Sequence, residues 1–266
     1  MFESIKYVTI EHIRNFRLII KMAFMDSEKQ VIRSSIGITW TYFHDILYIA
    51  VFIMFRLLIS GNSFIMGMNS SVYLISGMIP WFFISDVLSQ GSMEIRSSKG
   101  IIQSIKFPAV ILPTISVISI FIKRLLSFAL IFIVCLGFGY IRFFHPVLFI
   151  YYIICALALT LSLNLVLTAL VALSEDFRQL HSAITRILIY TMPIIWDYSR
   201  VNSVAINVLL RVNPMVYVVK GFRDAFVLGM TQDLIYTIYF WGCVIVIFAI
   251  GSILQFRLKK FYADFV

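Results

Sequence analysis

Three ionisable residues lie within long apolar stretches of the sequence: Asp45, Arg56 and Asp86. A charge inside an apolar helix is costly and by default indicates a function. Asp45 and Arg56 share a helix face about three turns apart, which is too far along the axis for a direct pair. We therefore expect each of them to meet a charge on another helix. An internal ion pair that only fixes packing explains them at least as well as a substrate role, and we favour it for Asp86.

The sequence lacks the motifs of an enzyme that acts alone. None of its 12 glycines belongs to a Gly-x-x-x-x-Gly-Lys-Ser/Thr loop, so the chain cannot hydrolyse ATP by that route. The four histidines lack metal-ligand spacing, and we predict no metal site. No Asp-x-Asp pair is present to hold a metal and a sugar nucleotide, and Glu175 with Asp176 is the only adjacent acidic pair. Any energy from a nucleotide must therefore come from a partner.

The composition identifies the lipid bilayer as the solvent of this chain. Of 266 residues, 61% are hydrophobic and only 13% are charged, and the mean hydropathy is +0.96, which a soluble domain does not reach. The net charge of +9 is spread between apolar runs, which favours cytoplasmic loops over nucleic-acid binding. The three cysteines lie in apolar runs without CxxC spacing and are interpreted as small buried hydrophobic residues.

Six apolar stretches approach the roughly 20 residues that a helix needs to cross the hydrocarbon core. We therefore predict an all-α, polytopic membrane protein with six transmembrane helices. In the third span, Lys123 and Arg124 are expected to extend to the cytoplasmic interface. The fifth span is short and needs the preceding helical turn in order to cross. The predicted spans are Ile36 to Ile59, Val72 to Ser92, about Pro113 to Ile141, Val147 to Leu173, Ala183 to Tyr198 and Leu234 to Phe256.

Lysines and arginines set the predicted orientation, because cytoplasmic loops retain them. Sixteen of the 22 lie on one side of the six predicted spans, so both termini are placed in the cytoplasm. The N-terminus has no apolar segment followed by a cleavage site, and no signal peptide is expected. The predicted organisation is a cytoplasmic segment over residues 1–34, a transmembrane domain over 35–256 and a cytoplasmic tail over 257–266.

An amphipathic helix is predicted before the first span. Three basic residues share one helical face and four apolar residues share the opposite face, which is typical of a helix lying in the membrane interface. A soluble helix packed on a partner is the alternative. The basic residues are Arg14, Arg17 and Lys21, and the apolar residues are Ile13, Phe16, Ile20 and Phe24.

Two segments between spans have distinct patterns. From Ser199 to Asp233, two modest apolar runs are separated by Arg211, Asn213 and Pro214. This pattern favours a pair of short re-entrant or interfacial helices over an external loop. From Glu94 to Pro113, a short polar helix is bounded by proline, as in a compact insert that a membrane protein offers to a soluble partner.

Several short motifs follow one another along nearly the whole chain. They are Ser35-Ile-Gly-Ile-Thr-Trp40, Gly77-Met-Ile-Pro-Trp-Phe-Phe83, Ile105-Lys-Phe-Pro108 with Leu112-Pro113, Glu175-Asp-Phe-Arg178, Asn213-Pro214 with Phe222-Arg223-Asp224-Ala225, and Phe261-Tyr-Ala-Asp-Phe265. Each is weak alone, but the ordered set resembles the permease subunits of ABC transporters that export bacterial surface polymers. Within that family, His12 to Leu18, Ile187 to Trp196 and the Ala-Asp-Phe ending are most similar to wall teichoic acid exporters. The family usually has Asn-Pro where this chain has His44-Asp45.

The resemblance implies a homodimer in the bacterial cytoplasmic membrane, bound to two copies of a separate ABC ATPase that supplies ATP and Mg²⁺ chemistry. The chain itself is expected to bind no cofactor. Residues 97–107 would form a coupling helix that docks on the ATPase, and residues 199–233 would form short re-entrant helices at the outer mouth. The implied coupling residues are Ser98, Lys99, Ile102, Ile105, Lys106 and Phe107.

The implied substrate is a long glycopolymer on a polyprenyl-diphosphate carrier, wall teichoic acid being the first candidate. Aromatic side chains could stack on its sugar rings. A permease for O-antigen or capsular polysaccharide is an alternative, and so is a permease of the same architecture for a small lipid or drug. A membrane enzyme acting on a lipid-linked sugar is a third hypothesis, from a different functional class. The candidate aromatic residues are Tyr42, Trp81, Phe82, Tyr190 and Trp196.

Overall fold

In the computed structural model, helices form over the apolar runs of the sequence. The model describes residues 2–32, 39–60, 64–65, 68–104, 107–137, 139, 144–198, 203–259 and 262. A two-residue hairpin, β1 (Phe64–Ile65) and β2 (Met68–Asn69), precedes α4. The helices are α1 (Phe2–Arg14), α2 (Phe16–Ile32), α3 (Thr39–Ser60), α4 (Ser70–Ser89), α5 (Glu94–Ser97), α6 (Lys99–Ser104), α7 (Leu112–Gly137), α8 (Pro146–Leu173), α9 (Glu175–Thr191), α10 (Val204–Val212), α11 (Pro214–Arg223) and α12 (Leu234–Leu258).

Within the described residues, four helical segments are long and apolar enough to cross a membrane. They confirm the helices predicted for the second, third, fourth and sixth spans. The predicted first span corresponds to α3, which is long enough but carries Asp45 and Arg56. The predicted fifth span corresponds to the end of α9, a helix of 17 residues that begins at Glu175 and ends at Thr191. The four segments are Ser70–Ser97, Ala109–Val134, Pro146–Leu173 and Leu234–Leu258.

The predicted re-entrant segment contains two short helices, as expected from its two apolar runs. Asn213 separates α10 from α11, and Pro214 occupies the first turn of α11, where its missing N–H costs nothing. The Asn213 side chain accepts a hydrogen bond from the N–H of Met215, 3.0 Å away. The pair is bent by 91° at this break, so it forms either a broken span or a re-entrant loop.

Helix α4 lies at the centre of the main apolar core. Sixteen of its 20 residues are buried, and it contacts α3, α7, α8, α9 and α11. A helix that is apolar around its whole circumference must be covered on all sides. Any group that α4 presents is therefore held in a fixed position by its neighbours.

The long helices α8 and α12 pack closely because small and polar residues line their contact. A Cβ atom on Gly251 would lie 2.7 Å from the Cβ of Leu165, so glycine permits this approach. The amide of Gln255 donates to the carbonyl of Leu165 and to the hydroxyl of Thr168 at 2.9 and 3.0 Å. The Tyr262 hydroxyl donates to Gln255 at 2.7 Å, which ties the C-terminal segment to this helix pair.

The N-terminal helices pack on the rest of the chain through residues outside the predicted apolar face. Val8, Ile19 and Ala23 are buried against the segment at 109–115 and the C-terminal part of the chain. The predicted apolar residues Ile13, Phe16 and Phe24 are exposed, as are Arg14, Arg17 and Lys21. The two helices therefore dock on the protein through small residues and leave an apolar strip uncovered, which is compatible with the predicted interfacial position.

Candidate functional site: a buried ion cluster beside an aromatic cavity

Arg124 joins three helices through the carboxylates of Asp45, which is buried, and Asp86, which is partly exposed. Its guanidinium on α7 bonds the carboxylate of Asp45 on α3 through Nη1. Its Nε donates to Oδ2 of Asp86 on α4 at 2.8 Å, and Nη2 lies 2.5 Å from the same oxygen. The side chains of Arg124, Asp45 and Asp86 are 5%, 6% and 21% exposed. We call these three residues the ion cluster.

The ion cluster corrects one prediction and confirms two. Arg124 does not extend to the interface as expected, because its guanidinium is the cation that two carboxylates in neighbouring helices need. Asp45 meets a charge on another helix, as predicted, and Asp86 belongs to an internal ion pair. The sequence carried a signal for this role: two acids inside apolar helices require a cation at the same depth, and Arg124 with Lys123 offered it.

An aromatic cavity of about 320 Å³ opens beside the ion cluster. Trp81 and Phe82 are buried in its wall, whereas Tyr190 is 65% exposed at its rim. The face of the Tyr190 ring is free to stack on a sugar ring or another flat apolar surface, whereas Trp81 and Phe82 are covered by the protein. The ion cluster lies beside the same cavity. Three of the five predicted aromatic residues are thus brought together. The other described residues of the wall are His44, Asp45, Tyr48, Ser85, Asp86, Arg124, Thr185, Arg186 and Ile189.

The other two predicted aromatic residues lie outside this cavity. The Tyr42 hydroxyl donates to the carbonyl of Lys123, and its ring faces a separate groove that also touches Asp45. The indole N–H of Trp196 donates to the carbonyl of Tyr190 at 3.2 Å. Trp196 is therefore bonded to the end of α9 and does not line the cavity.

Arg56 bonds the turn that follows α9. Its Nη1 donates to the carbonyl of Ile195 at 3.1 Å, and a charge partner for Arg56 on another helix stays a prediction. Residues 192–198 follow α9 without a continuing helix, which leaves carbonyl oxygens that need donors. Arg56 supplies one of these donors.

Arg223 supplies another donor to the same turn, and sequence analysis did not place it in a site. Its Nη2 donates to the carbonyls of Pro193 and Tyr73 at 3.1 and 3.2 Å, and its guanidinium lies 3.5 Å from the centre of the Tyr73 ring. The Tyr73 hydroxyl donates to the carbonyls of Pro193 and Trp196 at 3.3 and 3.1 Å. Arg223 belongs to the motif Phe222-Arg223-Asp224-Ala225, but only the structure shows that its side chain is fully buried.

The predicted coupling segment is partly held by the protein itself. Ser98 is buried and its hydroxyl donates to the carboxylate of Glu94 at 3.0 Å, whereas Lys99 is exposed. Ile102 and Phe107 are half-buried against the cluster formed by the N-terminal helices and the segment at 109–115. Ile105 and Lys106 lie outside the described residues.

An exposed charge network links this segment to the start of α9. Arg96 and Arg178 both bond the carboxylate of Glu175. Hydrogen bonds from Arg178 and then Arg96 lower the pKa of Glu175 from its ordinary value, so the carboxylate is ionised at neutral pH. In the described part of the chain, no three His, Cys, Asp or Glu side chains converge on a point where a metal ion could bind.

The apolar helices, the buried ion cluster and the broken helix pair define a polytopic integral membrane protein. A family model described as ABC-2 type transporter matches residues 17–227. The match covers most of the chain, which therefore belongs to the ABC-2 type transporter family. Permeases of this family are transport subunits that work with separate ATPase partners. The O-antigen export system permease protein RfbA of Myxococcus xanthus is similar, with 23% identity over 194 residues that cover 73% of this chain and 74% of the relative.

Proposed function

We propose that this chain is the permease subunit of an ATP-driven exporter that moves a polyprenyl-diphosphate-linked surface polymer across the bacterial cytoplasmic membrane. The observation that carries the proposal is the aromatic cavity beside the ion cluster, in a chain of the ABC-2 type transporter family. A sugar chain presents alternating apolar ring faces and hydroxyl edges. The exposed ring of Tyr190 complements the faces, and nearby charged groups complement the hydroxyls.

The proposed topology has six spans, with α3 and α9 added to the four apolar segments and both termini in the cytoplasm. The ion cluster supports α3 as a span, because Asp45 is paired with Arg124 on an apolar helix and thereby loses much of its cost in lipid. Helix α9 exposes Phe177, Leu180 and Ile184 at spacings of three and four residues, a face that suits lipid or another helix.

The proposed assembly contains a second copy of this chain and two copies of an ABC ATPase, which bind ATP and Mg²⁺. An exposed apolar strip on α9 supports contact between two copies, since a permease must enclose a path that a single thin bundle cannot. Residues 97–107 are proposed as the coupling segment on the ATPase. Lys99 is exposed there, and the Arg96–Glu175–Arg178 network connects the segment to α9.

Wall teichoic acid is the first candidate for the polymer, on the basis of the ordered motifs in the sequence. O-antigen or capsular polysaccharide is the second candidate, and the name of the relative from Myxococcus xanthus favours it. A small lipid or drug is the third, since it would use the same architecture.

Depletion of the protein in its native cell, followed by chemical analysis of the envelope, tests the proposal. Loss of wall-bound phosphate together with polyol identifies a teichoic acid. Loss of neutral sugar alone identifies the O-antigen or capsule class. An envelope with unchanged phosphate and sugar would overturn polymer export and leave a small lipid or drug as the substrate.

A further inference from the structure

A recess of about 490 Å³ lies where the broken helix pair meets the start of α12. Helix α11 packs on α4 and α8, whereas α10 turns away from it by 91° and buries only part of its surface, around Leu210. Residues of both helices, of the turn at 192–198 and of the segment at 231–236 line the space beside this bend. We call this space the polar recess.

Polar side chains of the polar recess are within reach of an occupant. Arg211, Thr231 and Asp233 are exposed, and Lys220 and Gln232 are half-buried. Guanidinium and ammonium groups only donate hydrogen bonds, a carboxylate only accepts them, and amide and hydroxyl groups do both. The polar recess therefore offers donors and acceptors side by side, which is what neighbouring hydroxyl groups of a ligand need.

The charges next to an occupant are of both signs. Among the described residues that line the polar recess, Arg211 and Lys220 are cations and Asp233 is an anion. A second carboxylate, that of buried Asp224, lies directly behind the lining and accepts a hydrogen bond from the amide of Gln232. An anionic ligand would meet these two carboxylates as well as the two cations, so the site does not select for negative charge.

Three further charges lie near the recess and do not change this balance towards an anion. The guanidinium groups of Arg56 and Arg223 donate to the carbonyls of Ile195 and Pro193 in the turn at 192–198. Neither arginine is among the described residues that line the recess. Asp197 lies in the same turn and brings a further negative charge. The arginines are thus used to hold the turn, and a neutral ligand rich in hydroxyl groups suits the recess better than an ion.

Two tyrosine rings add apolar surface to the lining. Tyr198 and Tyr236 are half-buried and line the polar recess. The Nζ of Lys220 lies 5.3 Å from the centre of the Tyr198 ring, so a hydrogen-bond donor is placed beside an aromatic surface. A sugar ring presents an apolar face to such a ring and a hydroxyl edge to charged and amide groups.

The volume of the polar recess suits a short piece of a glycan. A cavity of about 150 Å³ holds a molecule of benzene. A sugar unit has roughly twice as many heavy atoms as benzene, so about 490 Å³ leaves room for one or two sugar units. Binding sites for small ligands are typically in this range of volume.

We propose that the polar recess binds one or two neutral sugar units of a glycan, with sugar hydroxyls on Arg211, Asp233 and Gln232 and a sugar face against Tyr198 or Tyr236. The inference rests on the proposed function for its place in transport. In the proposed topology α12 begins at the outer side of the membrane, so the recess meets the glycan after it has crossed. A polyol phosphate chain carries anions and no ring faces, and therefore complements the recess less well.

Saturation-transfer NMR of the full chain in nanodiscs tests this proposal. The soluble probes are neutral oligosaccharides released from the surface glycans of the native cell, polyol phosphate fragments from the same cell, and glycerophosphoethanolamine as a lipid headgroup. We expect saturation of the sugar ring protons with the first probe and little with the other two. Arg211→Ala and Asp233→Ala, which each remove an exposed polar group, should lower the signal severalfold. Val208→Trp, which adds a large ring to the lining, should do the same.

Leu209→Trp is the matched control, because Leu209 is exposed on the same helix and is not among the residues that line the recess. It should give the signal of the unmodified chain. Equal signals from Val208→Trp and this control, saturation of the polyol phosphate or the headgroup in place of the sugar, or no saturation of any probe would each overturn the proposal. The assay needs neither ATP nor transport. Sugar binding together with an unchanged envelope after depletion would overturn the proposed function alone, whereas loss of a polymer without sugar binding would overturn this inference alone.

Discussion

Replacement of Arg124 by glutamine should be the most damaging single change to the ion cluster. The substitution keeps a long polar side chain but removes the guanidinium that pairs with both Asp45 and Asp86. Breaking a buried ion pair by removal of one partner costs about 3–5 kcal/mol. For a chain of this size, such a loss lowers the unfolding midpoint by roughly 10 °C.

The midpoint can be followed by tryptophan fluorescence of the purified protein in mild detergent. Arg96→Gln is the matched control, because it breaks an exposed pair with Glu175, and solvent screening makes the contribution of such pairs to stability small. The triple variant Asp45→Asn, Asp86→Asn and Arg124→Gln removes all three charges together and should recover most of the lost stability. If Arg124→Gln unfolds at the same temperature as Arg96→Gln, the ion cluster does not hold the three helices together.

Three further predictions concern other parts of the chain. Gly77→Ala should destabilise by about 1–3 kcal/mol, because the new Cβ would lie 2.7 Å from Nη2 of Arg223. Gly242→Ala, whose Cβ meets nothing within 4 Å, should be neutral or stabilising in the same melting assay. Burial lowers the pKa of His12 below its ordinary value of 6.5, and its Nδ1 donates to the carbonyl of Val8 at 2.7 Å. The folded state thus opposes protonation, so the contribution of His12 to stability is full above pH 6.5 and is lost as the pH falls below it. Hydrogen exchange in α1 should be faster at pH 5 than at pH 7.5 after correction for intrinsic rates, and His12→Gln should abolish that difference. Phe107→Ala should leave ATP hydrolysis by the partner intact while export falls, with the membrane domain still monodisperse by size-exclusion chromatography; normal coupled export would remove Phe107 from the coupling segment.

The length of the apolar runs was sufficient to predict the long helices, because a helix that crosses lipid satisfies its own backbone polar groups and needs about 20 apolar residues. It could not predict where α9 begins. Ser174 caps this helix through a hydrogen bond from the N–H of Asp176, so the helix starts in a charged region that the search for apolar runs passed over. The predicted span from Ala183 to Tyr198 consequently ends in a turn whose carbonyls Arg56 and Arg223 satisfy.

The sequence indicated that charged residues would pair inside the membrane domain, but not which residues would pair with each other. Intramembrane acids identified the region, since a buried charge requires a partner. Which cation serves them depends on how α3, α4 and α7 are placed around each other, and sequence spacing within one helix carries no such information. The same limit applies to the aromatic residues. Trp81 and Tyr190 meet at one cavity, whereas Trp196 is turned away by its hydrogen bond to the carbonyl of Tyr190.

ATP-dependent transport in a reconstituted system tests the central claim most directly. The protein would be purified from native membranes with the ATPase that binds it, and both would be placed in vesicles that carry the lipid-linked polymer of the same cell. We predict that ATP makes the polymer accessible to an enzyme confined to the side of the membrane opposite the ATPase, and that omission of this chain abolishes the effect. Polymer that stays inaccessible while ATP is hydrolysed, or a purified chain that binds no ATPase, would contradict the account.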